Sequence, residues 1–127
     1  MAEIDTRTED GILHVRVSGT LFKKDLGDFI KNYLSLVESS GCRKVLVDMT
    51  GVNYAESYER SLFTENYMMI QEYRPFVPNV YTAVIENEQY AYLVDFKVQV
   101  FRLIGYDRIA YFFDCGEALA WLKGQGA

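Results

Sequence analysis

The architecture of this chain turns on the stretch VLVDMTGVNYAES, Val45 to Ser57. Val45, Leu46 and Val47 form a short, continuously apolar run, the pattern of a strand buried on both faces of a parallel sheet. The run ends at an acidic residue, Asp48, and Met49, Thr50 and Gly51 read as a turn. Val52 and Tyr54 touch down on the core again, and Ser57 brings a hydroxyl to the start of a helix. In open α/β sheets, ligands and partners meet the loops beyond the carboxyl ends of strands, so this loop is the expected functional site.

The flanking sequence supplies the rest of the sheet. Residues Ala2 to Thr8 alternate weakly, and Glu9-Asp10-Gly11 is a turn signal. From Ile12 to Ser18 the alternation is clean, with Leu13, Val15 and Val17 on one face and His14, Arg16 and Ser18 on the other. This predicts a hairpin with the first strand. Leu26, Phe29, Ile30, Tyr33, Leu34 and Val37 recur at helical spacing within Lys23 to Ser39, and Ser39-Ser40-Gly41 stops that helix. The strand Lys44 to Asp48 follows.

After the loop, a second helix is expected from Ala55 or Ser57 to Tyr73, with Leu62, Phe63, Met69 and Ile70 on its buried side. Its start is readable either as a capping box of Asn53 and Glu56 or as a cap at Ser57 itself. Pro75 and Pro78 forbid its continuation. Val80 to Ile85 is a strand, and Glu86-Asn87-Glu88 turns into a third helix that runs to Ile104 and closes at Gly105. Ile109 to Phe113 is the last strand. Asp114 caps a final helix, Gly116 to Lys123. The order β-β-α-β-α-β-α-β-α predicts an α/β fold with a mixed, mostly parallel sheet of about five strands and four helices. The whole chain, 1–127, reads as one domain.

Composition excludes several function classes. The 127 residues are 50% hydrophobic, enough to bury a core without a disulfide or metal staple. A net charge of −5 argues against nucleic-acid binding and against adsorption to anionic membranes. The polar, acidic start MAEIDTRTEDG is not a signal peptide, and no apolar run reaches the roughly 20 residues a membrane helix needs. Cys42 and Cys115 lie far apart without metal-ligand spacing, as free thiols of a reducing cytosol do. A soluble cytoplasmic protein is expected.

Catalytic signatures are lacking. His14, the only histidine, falls on the polar face of its strand, apart from any Cys or acidic cluster, and cannot build a zinc site with two distant cysteines. There is no G-x-S-x-G elbow and no glycine-rich phosphate loop. Asp48 is expected to hold backbone amides of the turn rather than to pair with Glu56 as acid and base. The expectation is therefore no enzyme, no cofactor and no metal.

The Val45–Ser57 segment resembles the STAS domain, the SpoIIAA-like anti-sigma factor antagonist family: a strand, an Asp (Asp48), a turn with Gly (Gly51), two spaced apolar positions (Val52, Tyr54), then an acidic-Ser pair (Glu56-Ser57). The closing segment RIAYFFDCGEALAWL resembles the family's last strand, acidic turn and Ala-Leu-rich helix. In the family the Ser is a phosphorylation site that switches partner binding, a role the resemblance places on Ser57. The family usually carries Asp before the Ser and a small residue then Gly after it, where this chain has Glu56, Tyr58 and Glu59. A bacterial signalling module is implied, with a kinase-like anti-sigma factor or another regulator as partner. Its contacts are expected at Asp48, Thr50, Gly51, Asn53, Tyr54, Glu56, Ser57 and Tyr58.

The third helix carries the alternative function. In QYAYLVDFKVQVFRLIG one apolar stripe (Tyr90, Leu93, Phe96, Val100, Leu103) is joined by a second (Ala91, Val94, Val98, Phe101). One sheet face needs only one stripe. The surplus reads as deep core, as a homodimer face, or as the wall of a pocket for a small hydrophobic, lipid-like ligand at Tyr90, Phe96 and Val100.

Overall fold

The computed structural model describes residues 2–64 and 79–126, with residues 61–64 described in their backbone only. The expected buried positions Leu62, Phe63, Met69 and Ile70, the helix end at Tyr73 and the breakers Pro75 and Pro78 therefore lie outside the described side chains.

Strands β1 (Glu3–Glu9) and β2 (Ile12–Leu21) pair antiparallel as a hairpin. Asp10 and Gly11, at φ 54° and 77°, close it; a two-residue turn with both φ values positive matches the twist of the flanking strands. A single 3-10 turn, Lys23–Asp25, leads into α1 (Leu26–Ser40), which ends at Gly41 with φ 68°. Next come β3 (Lys44–Tyr54), α2 (Glu56–Thr64), β4 (Tyr81–Ile85), α3 (Ala91–Leu103), β5 (Ile109–Phe112) and α4 (Cys115–Lys123). The sheet order is β1-β2-β3-β4-β5, with every pair after the hairpin parallel. The expected α/β class, strand number and mixed sheet are all present.

Two expectations about β3 are corrected. The strand does not end at Asp48, and Met49-Thr50-Gly51 is not a turn. Arg16 of β2 lies opposite Asp48 and Ser18 opposite Gly51, so Val17 faces both Met49 and Thr50: a β-bulge on β3. The apolar positions show why one is needed. Val45, Val47 and Met49 are odd-numbered, whereas Val52 and Tyr54 are even, and all five belong to one buried cluster. Side chains alternate faces along a strand, so one extra residue is required to return the later pair to the same face. Asp48 steadies the bulge: its Oδ1 accepts the Thr50 N–H at 2.9 Å and the Thr50 hydroxyl at 2.6 Å.

Helices α1, α2 and α3 send Leu26, Val37, Tyr58 and Leu93 into the larger cluster on one face of the sheet. On the other face α4 packs Ala118 and Leu122 against Ile12, Leu46, Ala83 and Ile85. Asp114 caps α4 as expected, accepting the Glu117 N–H at 2.9 Å. The α3 stripe is shorter than predicted: Leu103 is 78% exposed.

Where α3 crosses the sheet, the stripe contains a charge. Lys97 is buried, and its ammonium donates to Glu86, just beyond β4, at 3.2 Å. The Tyr54 hydroxyl donates to the same carboxylate, 2.8 and 3.0 Å from its two oxygens. Ring faces surround the ammonium: Tyr54 at 4.8 Å, Tyr58 at 5.4 Å and Tyr111 at 6.0 Å. Burial alone would lower the Lys97 pKa; the tyrosine oxygens of Tyr58 and Tyr54 and the Glu86 carboxylate outweigh it and hold the group well above the usual lysine range. Burial also raises Tyr33, Tyr54 and Tyr111 above the ordinary value of 10.0.

Two predictions follow from this pair. Removing one member strands the other charge in a dry site, so Lys97→Met should cost about 3–5 kcal/mol in urea unfolding. Adding Glu86→Gln, which still accepts from Tyr54 but carries no charge, should recover most of that loss. In alkali, the folded pKa values of these three tyrosines exceed their unfolded values, so the fold favours the protonated phenols. That contribution is complete below pH 10 and declines as the pH rises through the folded pKa values. Phenolate absorbance of these residues should appear together with loss of the circular dichroism of the fold; ionisation of all ten tyrosines before any unfolding would contradict the assignment.

Candidate functional site

Beyond the bulge, β3 delivers the chain to the carboxyl rim of the sheet. The Ala55 N–H donates to the Leu21 carbonyl at 3.1 Å, tying the end of β3 to the end of β2. Helix α2 then begins at Glu56, with the Ala55 carbonyl accepting the N–H groups of Tyr58 and Glu59 at 3.0 and 3.1 Å. Neither expected cap is used. Ser57 already lies inside the first turn, and its Oγ accepts the backbone N–H of Lys23 at 3.2 Å. Its hydroxyl faces outward and links α2 to the turn that follows β2. Asn53 is engaged elsewhere, accepting the Tyr90 hydroxyl at 2.9 Å.

The residues expected to meet a partner divide into three groups. Thr50, Gly51, Asn53, Glu56 and Ser57 are exposed. Tyr54 and Tyr58 are not: they are 5% and 4% exposed and stack with ring centroids 4.7 Å apart. Their side chains are core, which corrects their assignment as contacts. The third group is Asp48, half-buried and drawn away from Ser57. It lines a groove of about 280 Å³ together with Asp5, Arg7, His14, Arg16 and Cys115, and none of residues 53–58 takes part.

That groove also corrects the view of His14 as remote from cysteine and acid, since folding brings Cys115 and Asp48 to its walls. Two of its cations stand beside carboxylates, Arg16 3.9 Å from Asp48 and Arg7 2.6 Å from Glu9. Among the described residues no group of three potential metal ligands forms, and both cysteines are free thiols.

Around Ser57 the rim carries exposed aromatic surface that the sequence reading did not single out. Phe22 and Tyr92 are 36% and 51% exposed. The Lys24 ammonium stands 5.6 Å above the Phe22 ring. Tyr92, on α3, donates its hydroxyl to Glu59 on α2, and this bond raises its pKa to about 12. Glu56 pairs with Arg60 one turn on. The only advance signal for Phe22 was its place just past the alternating strand, and for Tyr92 its place between the two apolar stripes of the third helix.

Of the ligand wall expected at Tyr90, Phe96 and Val100, only Phe96 is half-buried. Tyr90 and Val100 are buried, and the Tyr90 hydroxyl is occupied with Asn53 and, at 3.2 Å, with the Tyr54 N–H. A cleft of about 180 Å³ does exist between the sheet and the helices, but α3 lines it with Lys97 and Phe101. Glu86 and Lys97 went unnoticed because both were read by element, as a turn residue and as part of an apolar helix. The available signal was that Lys97 falls on the Leu93–Val100 stripe at helical spacing.

No family model and no curated protein matches the chain. Solved structures do. An anti-sigma factor antagonist from Mycobacterium paratuberculosis superposes with a TM-score of 0.60 at 13% identity, covering 97% of this chain and 95% of its own. A protein of the DUF3478 family from Shewanella loihica, described as having a SpoIIAA-like fold, superposes at 0.54 with 16% identity, covering 95% and 93%. At such identities the likeness is one of architecture: the chain has the SpoIIAA-like, or STAS, fold.

Proposed function

We propose that this protein is a non-enzymatic regulatory module, one STAS-like domain over residues 1–127, which binds a protein partner through the rim around Ser57 and is switched by phosphorylation there. The observation that carries the reading is the position of the Ser57 hydroxyl: exposed, in the first turn of α2, on the rim between β2 and β3. The resemblance of the Val45–Ser57 segment to the antagonist family and the fold shared with an anti-sigma factor antagonist support it. The partner is then an anti-sigma factor or kinase-like regulator, met in the cytoplasm. No helix of the described residues is long and apolar enough to cross a membrane.

The local electrostatics suit a switch that acts on binding rather than on folding. A phosphate on Ser57 adds about −1.5 to −2 charges and three acceptor oxygens. The amino end of α2 favours it by roughly 0.3–1 kcal/mol, and an oxygen can take over the Lys23 N–H. Glu56 and Glu59 oppose it across the exposed surface, so the fold gains or loses little. A partner covering Phe22, Asn53 and Ser57 loses more, because it must desolvate the new charge.

The test is capture of partners from a lysate of the source cell with three baits. Wild type and Ser57→Ala should retain the same partner, and Ser57→Asp should lose at least about tenfold in affinity, as expected when uncompensated charge enters an interface. Equal retention by Ser57→Ala and Ser57→Asp would refute the switch. Phe22→Ala should weaken the same partner without changing the melting temperature.

A further inference from the structure

We infer that the cleft between the sheet and helices α1 and α3 is a binding site for a small, uncharged, single-ring aromatic molecule carrying one hydrogen-bond acceptor, with Lys97 as its polar anchor. Its location and chemistry differ from those of the rim around Ser57, and it stands independently of that reading.

Size comes first. The cleft is open to the surface and offers about 180 Å³. An apolar cavity of roughly 150 Å³ is sufficient to hold benzene, so this one accommodates a single ring with a short substituent. Its wall selects for shape: Phe29, Tyr33, Tyr58, Phe101 and Tyr111 all contribute, and aromatic faces and edges pack best against another ring.

The polar chemistry narrows the choice further. Lys97 and Glu86 are the only charged groups among the described residues that line the cleft. A sheet–helix contact needs no ion pair, and apolar residues of equal volume are usually as stable or more so. A charged pair at such a wall also places a strong donor where an occupant of the cleft can meet it. An ammonium has three N–H donors. One serves Glu86, and the remaining directions are served by ring faces about 5–6 Å away, the weaker kind of partner. A carbonyl or ether oxygen in the cleft is a better acceptor than a ring face. The pair is neutral as a whole, so an ion entering the cleft would lose its hydration without finding a net opposite charge.

Three probes of nearly equal size test this by NMR titration of the folded protein: acetophenone, ethylbenzene, which lacks the oxygen, and benzoate, which is charged. Acetophenone should saturably shift the amides of Tyr58, Val84 and Lys97 and bind at least about tenfold more tightly than either of the others, the margin a hydrogen bond to a charged donor gives. Lys97→Met should erase the margin between acetophenone and ethylbenzene. Should that variant not fold, Ile30→Trp, which fills the cleft from its half-buried place on α1, should abolish acetophenone binding while leaving the fold intact. Absence of saturable shifts, equal binding of acetophenone and ethylbenzene, stronger binding of benzoate, or unchanged binding by Ile30→Trp would each overturn the assignment.

Discussion

The extra residue in β3 is the constraint on which the rest of the molecule depends. Val45, Val47 and Met49 fix one face of the strand, and without the bulge at Met49–Thr50 the next apolar pair, Val52 and Tyr54, would point to the opposite face. With it, Tyr54 reaches the Glu86 carboxylate, the strand end is tied to Leu21, and α2 starts where Ser57 meets the turn after β2. Asp48 is thus a structural residue of the bulge, holding Thr50 through two bonds. The residue that looked like the end of a strand is what lets the strand continue.

The buried pair sits at the convergence of these elements. Glu86 follows β4, Lys97 comes from α3, Tyr54 from β3 and Tyr58 from α2, so a single polar cluster fastens four segments at the edge of the core. Its cost in desolvation is large, and its return depends on every member being satisfied: Glu86 accepts from two donors, and Lys97 is ringed by aromatic faces. Among the described side chains no buried polar atom lacks a partner. A cluster built this way contributes little net stability but penalises any packing that separates its parts, so it specifies one arrangement of helices on the sheet.

The ease with which the sequence revealed each element follows from how local its cause is. The hairpin turn at Asp10-Gly11, the stop at Gly41 and the cap at Asp114 each act within a few residues and are legible from residue type alone. The strand β4, buried on both faces, announces itself by apolar residues broken only by Thr82. The bulge was written in the parity change from Met49 to Val52, but Asp48 and Gly51 imitate a turn, and a turn is the commoner meaning of that composition. Tyr54 was legible as an apolar touch-down, but burial of Tyr58 was not, because tyrosine serves core and surface alike and the choice rests on Glu86 and Lys97, some thirty to forty residues away. Asp48 and Ser57 belong to one motif, yet they are parted by the bulge and the strand beyond it.

Helix α2 joins the two surfaces. Ser57 and Tyr58 are consecutive, and on a helix consecutive residues do not share a face. One therefore meets solvent and the Lys23 backbone, while the other lines the cleft beside Lys97. A second route runs through hydrogen bonds alone, from Asn53 on the rim to Tyr90, to the Tyr54 backbone, and by the Tyr54 hydroxyl to Glu86. An acceptor placed at Lys97 shares the ammonium with Glu86, and Glu86 holds Tyr54. Coupling between two sites needs a shared element whose arrangement both bias. The first turn of α2 and the end of β3 are the elements that touch both places. By reciprocity, any effect that an occupant of the cleft had on a partner's affinity at Ser57 would be matched by an equal effect of that partner on affinity in the cleft.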